Sequence, residues 1–263
     1  GKGKEERVPL GRYWEAFADA GLSRLIALAL GNNLRLGQAL VRVERARALR
    51  GVAVSRLGPA VAGDGAYSRR HVGDNAFGFG PPTDFDVFSA SLNASWELDV
   101  FGGIRRGVEA AHAEIGARIE DLRAVAVSVV AEVAHNFILW QSFGERVRIA
   151  ERNLESQSGT LALTRALAAG ELVPELDVLR TEANVEATRS TIPLLEQAKV
   201  EAKNRLAILL GRSPGAIDGL LQDAGRLPEW TDSVDVGLPA DVLRSRPDIR
   251  RAERTLAAHT SRI

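Results

Sequence analysis

The stretch "SASLNASWELDVFGG", Ser89 to Gly103, changes its period part-way through. Before the change the residues alternate. Phe88, Ala90, Leu92, Ala94, Trp96 and Leu98 fall on one face, and Val87, Ser89, Ser91, Asn93, Ser95 and Glu97 on the other. A strand with one apolar face and one small, polar face gives this pattern. Past Gly102-Gly103 the apolar residues recur every seven. Ile119, Ala126, Val133, Trp140, Val147, Leu154 and Leu161 form one series; Ile115, Leu122, Val129, Asn136, Phe143 and Ala150 form a second, whose apolar character only Asn136 breaks. A seven-residue repeat held this long predicts a supercoiled helix packed along its whole length. From about Ile104 to Ala169 it would run roughly 100 Å at about 1.5 Å per residue. Val130 and Phe137 widen the apolar seam, which fits a multi-helix barrel better than a two-stranded rod. A short strand thus feeds a very long helix, and the function turns on why.

Alternation alone leaves the strand's surroundings open, since a strand on a soluble core alternates in the same way. In a β-barrel the two faces would meet lipid and water, and Trp96 suits a membrane interface.

Downstream, "LAAGELVPELDVL" ends the long helix. Gly170 reads as its stop, and Pro174 as the first turn of the next helix, with Glu175 and Asp177 near that helix's positive end. This second helix is expected from about Pro174 to Leu210, with Val178, Val185, Ile192 and Leu206 seven apart, Lys199 as the exception, and a kink or loosened ladder at Pro193. The short turn makes the two helices antiparallel neighbours. Residues 211–238 read as an irregular linker, and Leu243 to Ile263 as helical again around Pro247. Upstream, Trp14 to Asn32 and Leu34 to about Leu57 read as helices, the second closed by Gly58-Pro59. Residues 60–70 are weakly strand-like, and His71 to Asp84 reads as loop.

Composition narrows the class. Lys and Arg number 34 and Asp and Glu 34, for zero net charge, so no nucleic-acid surface is expected. There is no cysteine and no methionine, which excludes disulfides and thiolate metal sites and suggests a processed chain or one cut from something larger. No run of eighteen apolar residues occurs, so no transmembrane helix is expected, a test that β-barrel strands do not face. His71, His112, His135 and His259 have no metal-ligand spacing, and the loop "VGDNAFGFG" has no phosphate-binding pattern. No enzyme activity, cofactor or metal is expected. One internal match stands out: "NLRLGQALVRVERA" (Asn33 to Ala46) aligns with "RPDIRRAERTLAAH" (Arg246 to His259), pairing Leu36 with Ile249, Ala39 with Ala252 and Val43 with Leu256.

These pieces carry a resemblance. "YWEAFADAGLSRLIALALGNNLRL", "SWELDVFGG", "LAAGELVPELDVLRTEANVEATRSTIPLLEQAKVEAKNRLAILLG" and "LPADVLRSRPDIRRAERTLAAH" resemble, in order and spacing, the TolC-like outer-membrane efflux proteins of the lipoprotein type that serve resistance-nodulation-division pumps. The resemblance implies a homotrimer in which each protomer gives four strands to a twelve-stranded outer-membrane barrel, with long helices continuing into a periplasmic tunnel. The fold class would be mainly α: long antiparallel heptad helices of an α-barrel, with a two-stranded hairpin belonging to a transmembrane β-barrel. Short strand and long helix would then match a thin membrane and a deep periplasm.

On this reading residues 1–58 are an N-terminal tail and first helices, 59–99 the barrel hairpin, 100–211 the periplasmic helical hairpin, 212–242 an equatorial linker, and 243–263 the truncated start of a second repeat. The family's lipid-bearing N-terminal cysteine is not in the sequence, and Gly103 stands where the family usually has a polar or basic residue.

The implied function is a passive conduit for drugs or other small molecules, in the outer membrane, with a periplasmic adaptor, an inner-membrane pump and outer-membrane lipid as partners. Gly170, Glu171, Leu172, Val173 and Pro174 would form the tunnel tip that meets the adaptor. Asp177 either binds across protomers or only caps its helix. Phe88, Leu92, Trp96, Glu97 and Asp99 would mark the membrane interface, although a structural role suits Trp96, Glu97 and Asp99 as well. The competing readings are a soluble coiled-coil scaffold and a periplasmic adaptor.

Overall fold

The computed structural model describes residues 19–72, 83–221 and 239–262. Trp14 and Phe17, the loop residues 73–82 and most of the expected linker lie outside them. The described chain runs α1 (Ala20–Asn32), α2 (Leu34–Ser55), β1 (Ala60–Val72), β2 (Thr83–Ser95), α3 (Gly103–Ala169), α4 (Glu175–Leu209), α5 (Asp218–Leu221), α6 (Pro239–Ser245) and α7 (Pro247–Thr260). It is mainly helical with one two-stranded antiparallel sheet.

The heptad series produces a single 67-residue helix, α3. An 18-residue window within it averages a hydropathy of 1.5, so among the described residues one helix is, by length and composition, apolar enough to cross a membrane, contrary to the reading from uninterrupted apolar runs. Val129, Val133 and Phe137 of this helix are wholly buried against other helices, while a third of that apolar window as a whole is buried.

The chain divides into two compact units. The first comprises Gly1–Val41 and Asp121–Ile249. Here α1 is capped by Asp19, whose Oδ1 accepts the Leu22 N–H at 2.8 Å. Its apolar stripe, Leu22, Leu25, Ile26 and Ala29, packs on α3, on Leu206 and Leu210 at the end of α4, and on Ile217 and Leu221. Asn33, buried between α1 and α2, serves both neighbours. Its Oδ1 accepts the Arg35 and Leu36 N–H groups, capping α2, while its Nδ2 donates to the Leu209 carbonyl at 2.8 Å. Two seam exceptions find contacts here, although the buried Asn136 Oδ1 accepts no hydrogen bond among the described residues. Asn136 donates its amide to the Glu132 carbonyl at 2.7 Å. Lys199 lays its ammonium 5.9 Å from the centre of the Trp140 ring, beside Gly144, which leaves it room.

The second unit comprises Arg42–Glu120 and Arg250–Ile263. The hairpin belongs to it, as does most of α7. Arg250 pairs with the buried Glu120 at 3.5 Å. A Cβ on Gly116 would come within 3.2 Å of the Arg254 side chain, so the glycine admits it.

Several boundaries differ from expectation. The hairpin takes in His71, Val72, Thr83 and Asp84, expected as loop, because His71 pairs with Asp84 and Val72 with Thr83 in the ladder. At its other end β2 stops at Ser95, leaving Trp96 and Leu98 outside. Ser95 pairs with Ala60, and Pro59 before it has no N–H to continue the ladder. Pro174 is the residue preceding α4 rather than its first turn; Pro193 lies inside α4, whose span agrees with the expected one. The short α5 interrupts the expected linker. Helix resumes at Pro239, earlier than expected, and breaks at Arg246 because the residue before a proline disfavours the helical conformation. The repeated sequence thus has a repeated form: α1 and α2 are broken at a single residue, as are α6 and α7.

Candidate functional site

Two surfaces gather the residues singled out by sequence. The first is the hairpin. Its register pairs Tyr67 with Phe88, Gly65 with Ala90, Gly63 with Leu92 and Val61 with Ala94, placing these eight residues on one face. Phe88 and Leu92 are 78% and 80% exposed, so among the described residues nothing covers them. The opposite face carries Ser89, Ser91 and Asn93 against Ala66, Asp64 and Ala62. The apolar face is closed at one end by the Tyr67–Phe88 ring contact, with centres 4.9 Å apart. Beyond it the same face turns charged: the Tyr67 hydroxyl donates to Asp86 at 2.9 Å, Arg69 pairs with Asp84 at 3.4 Å, and His71 pairs with Asp84 at 2.5 Å. At the other end lies Trp96, whose Nε1 donates to the Leu57 carbonyl at 3.1 Å while the residue stays exposed. The polar edge of the indole is satisfied by the protein and its apolar body is presented outward.

Between Trp96 and α3 the backbone is pinned by Asp99. Its carboxylate accepts the Ile104 and Arg105 N–H groups at 3.0 and 2.9 Å and meets the Arg105 guanidinium at 3.3 Å. Desolvation pushes its pKa up, but the two backbone N–H groups and the Arg105 side chain outweigh it and hold the carboxyl below its ordinary value. Glu97 is exposed. Leu98, Val100 and Phe101 are also exposed, Phe101 fully. Leu98 is read from sequence as part of the strand's apolar face, whereas Val100 and Phe101 are not singled out there, although apolar residues flanking an acid in a Gly-terminated loop are a visible signal.

The second surface is the turn between α3 and α4. Its residue in the left-handed conformation is Glu171 (φ 57), not Gly170. Leu172 N–H donates to the Leu167 carbonyl and Glu171 N–H to that of Ala168, both at 2.9 Å, so Glu171 holds the position where helix ends favour glycine. Leu172 is 74% exposed. Val173 is half-buried, and Pro174 and Glu175 are exposed. Asp177 N–H donates to the Pro174 carbonyl at 3.0 Å, and its carboxylate lies 3.7 Å from Arg180. One turn back, Arg165 and Glu182 bridge the two helices at 3.0 Å. The sequence-predicted tip residues are brought together here, on the turn between α3 and α4. Among the described residues no group of three or more His, Asp or Glu is placed to hold a metal ion.

The sequence matches the family model described as outer membrane efflux protein over residues 25–212. The chain belongs to the outer membrane efflux protein family. It is 32% identical over 263 residues to the pyoverdine export outer membrane protein OpmQ of Pseudomonas aeruginosa, covering 97% of this chain and 55% of that protein. It is 29% identical over 251 residues to nodulation protein T of Rhizobium leguminosarum bv. trifolii, covering 95% and 53%. Among solved structures, the outer-membrane channel OprN matches with a TM-score of 0.83 at 33% identity, over 98% of this chain and 57% of that one. CusC matches with a TM-score of 0.74 at 29% identity, over 94% and 56%. The chain spans about half the length of the curated relatives it matches. Membership in the outer membrane efflux protein family and the likeness to these outer-membrane channels locate the chain in the cell outer membrane, with a periplasmic helical part.

Proposed function

We propose that this chain is half of the protomer of an outer-membrane channel in a tripartite efflux system, a passive conduit for drugs or other small molecules, working as a homotrimer with a periplasmic adaptor and an inner-membrane pump. The observation that carries the reading is the uncovered apolar face of the hairpin, bounded by aromatic residues and joined through the Asp99-pinned loop to a 67-residue helix. On this reading residues 59–99 give two strands to the barrel, 100–211 form the periplasmic hairpin, 212–242 an equatorial linker, and 243–263 open a second repeat. Phe88, Leu92 and Trp96 meet lipid, and Glu97 and Asp99 stay in water at the junction.

The helical turn is the adaptor contact and closes the tunnel at rest. Glu171 supports this: a glutamate held in a conformation that costs an L-residue about 1–2 kcal/mol keeps a carboxylate at the tip where glycine would relieve the backbone. Leu172, exposed beside it, needs a cover, and an adaptor hairpin or a neighbouring protomer supplies one. Asp177 has a partner within its own helix, Arg180, which supports its role as a local cap and leaves a cross-protomer contact to the open face of its carboxylate. Replacing Leu172 and Val173 with Asp in the full-length channel is expected to abolish drug resistance while leaving the trimer assembled. Resistance that survives at normal expression would move the adaptor contact elsewhere.

A further inference from the structure

The two faces of the hairpin treat charge differently. On the face that carries Phe88 and Leu92, the charged residues hold one another: Arg69 and His71 both meet Asp84, and Asp86 accepts from the Tyr67 hydroxyl. The opposite face has two charges along its paired length, Asp64 and Arg70. Neither meets an opposite charge among the described residues. Asp64 stands across from Ser91 and accepts from the neutral Asn93 amide at 3.4 Å. Arg70 stands across from Phe85. Both are exposed. The register runs without a slip from Ala60–Ser95 to Val72–Thr83, so alternation sets both side chains on one face. From position 64 to position 70 the strand rises roughly 20 Å, at about 3.3 Å per residue. Ala66, Ser68, Val87 and Ser89, between them on that face, carry no charge.

Sheet formation does not account for the aspartate. Asp64 and its neighbours Gly63 and Gly65 are all poor strand formers, yet they lie inside β1. The two charges also differ in depth. Asp64 lies between the Gly63–Leu92 and Gly65–Ala90 pairs, whose own side is the apolar face. Arg70 lies past the Tyr67–Phe88 pair, where that face turns charged. A charge on a low-dielectric wall projects its field into the water in front of it. At about 0.1 M salt the screening length is about 10 Å, half the rise between the two residues. They therefore act at separate levels instead of cancelling.

We propose that Asp64 and Arg70 are charge-selecting residues of the barrel lumen. In a homotrimer each occurs three times, giving an anionic ring at membrane depth and a cationic ring nearer the outer mouth. Cations gather at the first level and anions at the second. A solute carrying charge of one sign meets a repelling ring at one level, whereas a neutral solute meets none. The proposal rests on the reading of the hairpin as part of a membrane barrel with this face toward water.

The test reads the potential at each level with membrane-impermeant thiol reagents of opposite charge, trimethylammonioethyl and sulfonatoethyl methanethiosulfonate. They enter from the barrel end, so a tunnel closed at its far end does not interfere. The full-length channel in phospholipid vesicles carries one free thiol, at Ser91→Cys, Ser68→Cys or Leu92→Cys, and circular dichroism confirms that each variant is folded. The quantity read is the rate with the cationic reagent over that with the anionic one. At Ser91→Cys, Asp64→Asn is expected to lower this ratio about fivefold, and Asp64→Lys to invert the preference. At Ser68→Cys, Arg70→Gln is expected to raise it about fivefold. Each charge substitution should leave the ratio at the other level nearly unchanged, and Leu92→Cys should not react. Reaction at Ser91→Cys but not at Leu92→Cys, with ratios that neither substitution moves, would overturn the proposal and leave the barrel reading standing. A substitution that moves both levels equally would reveal a diffuse net charge in place of two rings, and would also overturn it. Ser91→Cys and Leu92→Cys behaving alike would overturn the barrel reading and the proposal with it.

Discussion

The two long helices of the hairpin end on the same hydrogen-bond pattern, yet a different residue stands at each turn. At the end of α3, Glu171 takes the left-handed conformation and Leu172 N–H reaches back to Leu167. At the end of α4, Gly211 (φ 65) takes it, with Arg212 N–H reaching the Ala207 carbonyl at 2.9 Å and Gly211 N–H that of Ile208 at 3.0 Å. The surroundings explain the difference. A Cβ on Gly211 would lie 2.6 Å from the Asn32 carbonyl oxygen, beside the junction where Asn33 holds the end of α4. Conformation and space both demand glycine there. At Glu171 only conformation does, because the turn is exposed. The packed end is fitted for stability; the free end tolerates strain and retains a charge.

The largest effect should come from the packed end. Gly211→Ala must displace Asn32 as well as strain the backbone, and is expected to lower stability by about 3 kcal/mol in denaturant unfolding. A loss below about 1 kcal/mol would mean that the α1–α4 junction yields freely and that the two turns are not different in kind. The free end should respond with the opposite sign: Glu171→Gly is expected to raise stability by about 1 kcal/mol. Loss of adaptor binding in the same, more stable variant would sharpen the comparison, whereas destabilisation would break it.

The smallest effect belongs to the junction on the other side of α3. Asp99 has its pKa lowered in the folded chain, so the stability it lends the start of α3 is present above the ordinary value of 3.8 and is lost as pH falls through the lowered one. Amide exchange at Ile104 and Arg105, corrected for its intrinsic pH dependence, should therefore lose protection in acid, and Asp99→Asn should flatten that dependence. Unchanged protection in the native protein below this range would show that the carboxylate is not what pins the loop.

Sequence carried the helices further than the turns, for physical reasons. A seven-residue repeat is a property of the chain by itself, so α3 could be read from Ile119, Val133, Val147 and their neighbours almost to its last residue. The end of β2 is a property of its partner. Alternation continued through Trp96 and Leu98, but Pro59 had already ended the ladder. The helix does stop at Gly170, since α3 ends at Ala169, but the left-handed residue is Glu171, at a conformational cost no local pattern reveals. Asn33 went unremarked because its two roles, capping α2 and holding the Leu209 carbonyl, join residues 176 apart in sequence. Both candidate surfaces were nonetheless found by sequence, since each is defined by apolar residues where solvent would otherwise be.

The central claim is that one face of the hairpin meets lipid and the other water. Spin labels at Leu92 and Ser91, adjacent in β2 and on opposite faces, test it in the full-length channel in membranes. The label at Leu92 should be open to oxygen and closed to a water-soluble nickel complex, and the label at Ser91 the reverse. Equal accessibility of the two sites to both reagents would contradict the account.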